Sequence, residues 1–268
     1  YEESIRLLTK YKPKILVFAN DHAPIQVALK IAANMLGIHT YYFQHGAITN
    51  AFPPLEFSVS FLDGQDALAK YRNIGEIKGK VELIGSLKSR DRGLISNGSK
   101  AVKTIGIAIN RNNNIRDLLK LTKEIIDEFP EIKIRLRNHP ADSRIISVIN
   151  KNTTISDPKV ETTFQYLSTV DLLIAGNTNT HLEAVLMNIP SIYYKISSHN
   201  LWDSQGFVKN GLIDAAESVK ELLTILKREC EKKSDVIIRA AYYDEFINSN
   251  CDYENILAEY GLKVRPNY

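Results

Sequence analysis

One stretch constrains the fold more than any other: Asp171-Leu-Leu-Ile-Ala-Gly-Asn-Thr-Asn-Thr-His-Leu-Glu-Ala-Val-Leu-Met-Asn-Ile-Pro-Ser-Ile-Tyr-Tyr194. After Asp171 the run to Ala175 is apolar without alternation and of strand length, which is how a strand buried on both faces reads. A Gly/Asn/Thr turn follows, and a helix is predicted over 179–188 with Glu183 near its first turn. Pro190 ends that helix before a second strand at 191–194. A helix start preceded by small polar residues favours anions, because free N–H groups and the helix dipole point outward there. The hydroxyls of Thr178 and Thr180 add donors, and a carboxylate such as Glu183 can accept from two vicinal hydroxyls of a ribose. The same residues also suit an ordinary capped helix.

The rest of the chain repeats this grammar. Helices are predicted over 2–11, 24–36 and 65–73, with strands at 15–19, 39–43, 57–61 and 80–84. Residues 85–102 are polar and rich in Gly and Ser, the composition of a linker. Beyond it come strands at 104–109, 132–136 and 154–155, helices at 115–129, 141–150 and 161–167, and a tail from 216 to 260 that is mostly helical by period. Strands alternating with helices predict parallel sheets. The expected fold is α/β: two Rossmann-like units facing a cleft, residues 1–90 and 103–268, the second carrying the helical tail. The first unit is expected to be incomplete, in a chain cut from a longer protein, because it opens at Tyr1 inside a helical pattern.

Charge narrows the partners. Lys and Arg total 34 against 31 Asp and Glu, for a net charge of +3, which offers nucleic acid no basic footprint. The local cluster from Lys227 to Lys233 reads as a solvated helix face rather than a membrane patch. Two cysteines, Cys230 and Cys251, make no disulfide framework, no apolar run is long enough to span a bilayer, and no secretory leader opens the chain. The cytoplasm is the expected compartment. No HExxH, DxD pair or spaced Cys/His set suggests a metal, and GxGxxG, P-loop and GxSxG motifs are absent from the sequence. These absences weigh against dehydrogenases, kinases and α/β-hydrolases.

Ligands of open α/β sheets bind beyond the carboxyl ends of the strands, so the residues just after each strand are the candidates. In the first half these are Asn20, Asp21 and His22, then Gln44-His45-Gly46, then Asp63-Gly64. In the second half they are Asn110-Arg111, Arg137-Asn138-His139-Pro140, and the turn 176–180. His45 is of the type that serves as a general base near neutral pH. Arg137 and His139 lie two residues apart and bring cationic donors suited to phosphate. Asp63 and Asp21 are read equally as turn residues, Arg111 and Gln44 as secondary candidates, and His181 as structural.

The segment 171–193 resembles the nucleotide-sugar segment of GT-B glycosyltransferases. That resemblance implies phosphate contacts by Thr178, Asn179 and Thr180 and a ribose contact by Glu183. Gln44-His45-Gly46 with Arg137-Asn138-His139-Pro140 resembles the paired histidine motifs of CDP-glycerol glycerophosphotransferases, with Gln44 in place of their Trp. His139-Pro140, Leu62-Asp63-Gly64 and the Thr178/Thr180 pair resemble motifs of bacterial sialyltransferases and polysialyltransferases, with Leu62 in place of an acid. The likeness implies a metal-independent transferase without a cofactor. It would move sugar from a CMP-, CDP- or UDP-linked donor to a saccharide or lipid-linked acceptor of a bacterial capsule or lipopolysaccharide. It would work in the cytoplasm with peripheral contact to the inner membrane face, with His45 or Asp63 as base. A sugar-nucleotide 2-epimerase of the same fold, and a non-catalytic nucleotide-sugar-binding module, are the alternatives.

Overall fold

The structure, a computed structural model, describes residues 1–87, 101–146, 151–197, 203–248 and 252–263. Most of the expected linker, the last four residues of the expected helix 141–150, and Cys251 lie outside the described residues. The chain divides into two compact units, Tyr1–Asp91 with Ala241–Tyr268, and Arg92–Ala240.

Unit 1 holds four parallel strands in the order β1-β2-β3-β4: β1 (Ile15–Phe18), β2 (His39–Phe43), β3 (Glu56–Leu62) and β4 (Lys78–Leu83). Before the tail, its helices among the described residues are α1 (Glu2–Tyr11), α2 (Pro24–Met35) and α3 (Gln65–Ile74). Proline at the first helical position of α2 loses no hydrogen bond there and fits the helical φ. One face of the sheet packs Phe18, Tyr42, Phe57 and Leu62 against Ala67 and Tyr71 of α3. The other face, built on Tyr41, Val59 and Phe61, also needs a cover, since strands of a parallel sheet are buried on both sides.

That cover comes from the end of the chain. The tail was expected to belong wholly to the second unit, but from Ala241 onward it lies in unit 1. Tyr253, Leu257 and Tyr260 pack on the open face, and the Tyr41 hydroxyl donates to the Tyr260 carbonyl at 3.4 Å. The tail also passes directly over the turn after β3. The Glu245 N–H donates to the Asp63 carbonyl at 2.8 Å, and a Cβ on Gly64 would lie 2.6 Å from the Tyr243 backbone. Gly64 is therefore a site of close backbone approach as well as the residue before α3.

Unit 2 holds six parallel strands: β5 (Thr104–Ala108), β6 (Lys133–Arg137), β7 (Thr153–Ser156), β8 (Leu172–Ala175), β9 (Ser191–Tyr194) and β10 (Asp214–Ala216). Their order is β10-β9-β8-β5-β6-β7. The chain thus starts in the middle of the sheet, builds outward through β6 and β7, returns to β8 and builds out the other way. This is the doubly wound Rossmann order, with its switch point between β5 and β8. The helices are α4 (Ile115–Glu128), α5 (Thr163–Leu167), α6 (Thr180–Leu186) and α7 (Val219–Glu231). Asn114, Thr162 and Ser218 cap α4, α5 and α7 by accepting first-turn N–H bonds, and Thr162 with Gln165 completes a capping box. Ile105, Ile107, Ile134, Leu136, Leu172 and Ile174 form the centre of the core.

The sequence pattern missed β10, only three residues long. It also predicted a helix from 141 that the structure lacks, because residues 141–146 run as turn and irregular chain held by side-chain bonds. The tail beyond α7 is a 3-10 helix (Ile237–Tyr242) and two short helices, α8 (Glu245–Asn248) and α9 (Tyr253–Glu259), rather than long helix.

Candidate functional site

A pocket of about 500 Å³ opens at the carboxyl ends of β5, β6 and β8, the strands beside the switch point of unit 2. Its size is in the range of small-molecule sites. Arg137 and His139 line it from the end of β6, and Thr178, Asn179, Thr180 and Glu183 from the turn after β8 and the start of α6. All six donor-site candidates thus meet in one pocket. Asn110, Asn138 and Asn177, also strand-end residues in the sequence, line it as well, and so do Thr163 and Gln205, which the sequence reading did not single out.

The turn is held by two links, one buried and one exposed. His181 is 1% exposed, and its ring lies 2.7 Å from the Gly176 carbonyl through Nε2 and 2.6 Å from the Ser191 hydroxyl through Nδ1. The carbonyl can only accept, so Nε2 carries the proton and Nδ1 accepts from Ser191. Burial drives the His181 pKa down to about 4, so the ring stays neutral. Its role is structural: it staples the turn to β9. The second link joins Asn177 to Ser204, with the Asn177 amide donating at 2.9 Å and the Ser204 hydroxyl donating back at 3.1 Å. Asp203 in turn accepts the N–H groups of Phe207, Val208 and Lys209, which folds the segment that carries Gln205 to the pocket.

At the turn itself Thr178 Oγ1 lies 3.0 Å from Thr180 Oγ1 and accepts the Thr180 N–H at 3.3 Å. The two hydroxyls form one polar pair before α6. That helix has only seven residues, so its contribution to an anion site comes from local N–H groups rather than from a long dipole.

The two cationic candidates differ. Arg137 is 5% exposed. Its guanidinium donates to the Ser156 hydroxyl at 2.6 Å and to the Glu161 carbonyl at 2.9 Å, and it lies over the Tyr166 ring at 5.3 Å. Burial lowers its pKa, with Tyr166, Glu161 and Glu183 acting in the opposite sense. Arg137 thus gives the pocket floor a positive charge while its terminal nitrogens are committed to the protein. His139 is exposed at the rim, and its Nδ1 accepts the Ala141 N–H at 3.1 Å. In the neutral ring that puts the proton on Nε2, which makes His139 a donor.

Arg111 does not line the pocket. Its Nε donates to the Ala141 carbonyl at 2.6 Å, a brace between the loops after β5 and β6. Arg144 strengthens that brace, donating to the carbonyls of Asn113 at 2.5 Å and Asn110 at 2.9 Å while pairing with Asp142. The Arg144 bonds hold the Asp142 carboxyl at about 2. An arginine two residues after an aspartate, beyond a strand end, was the available sequence signal for this brace.

The remaining candidates, His45, Asp63, Asp21 and Gln44, lie in unit 1 at the carboxyl ends of β1, β2 and β3. The Gln44 amide is committed to the backbone, donating to the Gly46 carbonyl at 2.9 Å and accepting the Asp63 N–H at 2.9 Å. It sets the spacing of the β2 and β3 loops. His45 stacks at 5.9 Å from His22. Asp21 is buried, 3.0 Å from His22 Nδ1 and 2.5 Å from the donating Tyr71 hydroxyl. Among the described residues no group of His, Cys, Asp and Glu is placed to hold a metal ion, and no helix is long and apolar enough to cross a membrane.

No family profile and no curated protein sequence matches the chain. Solved structures do match in shape. The chain is similar over its whole length to 80% of Staphylococcus aureus MnaA, solved with UDP, at 12% identity and a TM-score of 0.63. It matches 79% of a putative UDP-N-acetylglucosamine 2-epimerase from Listeria monocytogenes over 99% of its own length, at 13% identity and a TM-score of 0.65. It matches 76% of the glycosyltransferase SnogD from Streptomyces nogalater over 96% of its own length, at 15% identity and a TM-score of 0.56. At such identities the likeness is one of fold, and the fold is α/β with two Rossmann-like units of the GT-B type, their parallel sheets having four and six strands.

Proposed function

We propose that the chain is a nucleotide-sugar-dependent glycosyltransferase whose donor binds in the switch-point pocket of unit 2. One observation carries the reading: Arg137, His139, Thr178, Asn179, Thr180 and Glu183, each singled out for donor chemistry, line the same pocket. In this reading Thr178, Thr180 and the first N–H groups of α6 donate to the diphosphate. His139 adds a donor from the rim, and Arg137 adds charge from the floor. Glu183 accepts from the ribose hydroxyls. Donors already in place where the leaving diphosphate gains charge lower the barrier to C–O cleavage. The acceptor is a saccharide or lipid-linked saccharide of a bacterial capsule or lipopolysaccharide, met in the cytoplasm at the inner membrane face.

Calorimetric titration with UDP, CDP, CMP and GDP tests the pocket. One of them binds, and the affinity falls in the Thr178→Ala/Thr180→Ala double variant. Binding of none of the four removes the reading.

A 2-epimerase reading is supported by the fold likeness to the Listeria protein. Epimerisation needs acid–base groups around the sugar, whereas Glu183 is the one carboxylate among the described residues lining the pocket. Product analysis separates the two: sugar transferred to an acceptor or to water with release of nucleotide, against an isomerised nucleotide sugar.

A further inference from the structure

The two loops on the β6 side of the unit 2 pocket are tied together by one side chain that does not line it. Asn110, after β5, and Asn138, His139 and Pro140, after β6, line the pocket, and Arg144 does not. Arg144 Nη2 donates to the Asn110 carbonyl at 2.9 Å and Nη1 to the Asn113 carbonyl at 2.5 Å. Its own carbonyl accepts from Asn138 Nδ2 at 2.8 Å. The loop after β5 is also closed on itself. Asn113 Oδ1 accepts the Asn110 N–H and Asn110 Oδ1 the Asn112 N–H, both at 2.9 Å.

Asp142 aims the guanidinium. Its carboxylate accepts from Arg144 Nε at 2.9 Å and from Nη2 at 2.5 Å, a two-point contact that fixes the guanidinium plane. The Asp142 side chain is 3% exposed, and the Asp142 N–H donates to the His139 carbonyl at 2.8 Å. His139 is held a second time through its ring. Nδ1 accepts the Ala141 N–H, and the Ala141 carbonyl accepts from Arg111. The rim imidazole and the two pocket-lining asparagines therefore share one set of bonds. The sequence pattern predicts a helix from residue 141, but the segment 141–146 is turn and irregular chain, and its polar groups are bonded to the pocket loops. A ligand that meets unfixed loops must order them, and its affinity falls by that cost. A brace closed beforehand removes the cost.

We propose that Asp142 and Arg144 are positioning residues of the nucleotide pocket: without touching the ligand, they hold Asn110, Asn138 and His139 in the arrangement that binds it. The proposal rests on the nucleotide-site reading above and adds to it a pair that sets affinity from outside the pocket. It requires arginine at 144. A lysine keeps a charge opposite Asp142, but its point charge has no planar fork with which to join the carboxylate and two loop carbonyls at once.

Calorimetric titration with whichever of UDP, CDP, CMP and GDP binds the wild type, run beside amide hydrogen exchange, tests this. Arg144→Lys keeps the wild-type melting temperature and binds the nucleotide about tenfold more weakly, the cost of ordering roughly one residue's backbone on binding. Amides of residues 110–114 and 138–144 exchange faster than in the wild type without nucleotide, and at the wild-type rate once it is saturating. Arg144→Ala shows the same signature with a larger loss of affinity. A merely structural role predicts a lower melting temperature and faster exchange in both states, with affinity unchanged. The proposal is overturned if both variants bind as the wild type does, or if their loop exchange does not respond to nucleotide. If Arg144→Ala does not fold, Arg144→Lys decides. A wild type that binds none of the four nucleotides strikes the pocket reading and this proposal with it. A wild type that binds, beside variants that bind equally well, strikes this proposal alone.

Discussion

The two units place different chemistry at the same structural position. In both, polar residues collect beyond the carboxyl ends of a parallel sheet. In unit 2 the pocket presents hydroxyls, amides and a rim imidazole, while Arg137 is bonded internally and His181 is buried and neutral. In unit 1 the strand ends gather Asp21, His22, His45 and Asp63, backed by Tyr42 and Tyr71. A surface of fixed donors suits an anion that must be bound and released. A titratable ring held by a buried carboxylate suits proton transfer. The fold repeats, and the side chains placed on its strand ends differ between the units.

The sharpest way to break this contrast is at Arg137. If it is a structural floor, Arg137→Ala removes its charged hydrogen bonds to the Ser156 hydroxyl and the Glu161 carbonyl and destabilises the protein by about 3 kcal/mol. Urea unfolding measures it. A variant of normal stability that merely loses nucleotide affinity would move Arg137 into direct ligand contact.

His181 gives the next effect. Its folded pKa of about 4 lies below the unfolded value near 6.5. Above pH 6.5 both states are neutral and no proton-linked penalty exists. As the pH falls from 6.5 towards 4 only the unfolded state takes up the proton, so stability drops, by about 2.5 kcal/mol at pH 4.5. Comparing urea midpoints at pH 7.5 and 4.5 in wild type and His181→Asn checks this: the variant should lack that portion of the acid sensitivity. Equal acid sensitivity in both would show that His181 is not the neutral staple of the turn.

Thr178→Ala with Thr180→Ala should weaken nucleotide binding by roughly 1–3 kcal/mol, since a phosphate oxygen loses its donors. The melting temperature should hardly move, because the hydroxyls bond chiefly to each other. Unchanged affinity would empty the pocket of its main donors and remove the contrast between the units.

The smallest effect is at Gln44. Gln44→Ala removes two side-chain bonds to backbone and should reduce stability by about 1–2 kcal/mol without abolishing turnover. Complete loss of turnover with unchanged stability would make Gln44 a functional group rather than a spacer.

Local pattern carried much of the fold. The fully apolar run at β8, the Gly/Asn/Thr turn and the proline after α6 were legible because each rests on neighbours in sequence: strand burial, helix start and helix stop. The same logic placed Thr178, Thr180 and Glu183 on one turn, and His139 at a strand end. It failed at β10, too short for a periodic signal, and at residues 141–146, where Arg144 and Arg111 bond to loop carbonyls in place of helix formation. Gln205 had no signal, since its position depends on the Asn177–Ser204 link.

The sequence by itself determined the class: alternating strand and helix periods, two α/β units on either side of a polar segment, and the strand ends as the place for chemistry. Tertiary structure alone decided the order of the six strands, and with it the switch point that brings β5, β6 and β8 together. It alone returned the last residues of the chain to the open face of the first sheet. It alone distinguished Arg137, bonded into the floor, from His139, open at the rim, and turned Asp21 and His22 from loop residues into an oriented pair. The physical reason is that periodicity records which side of an element is buried, whereas partners distant in the chain are chosen by packing and by the need to satisfy every buried charge and hydrogen bond.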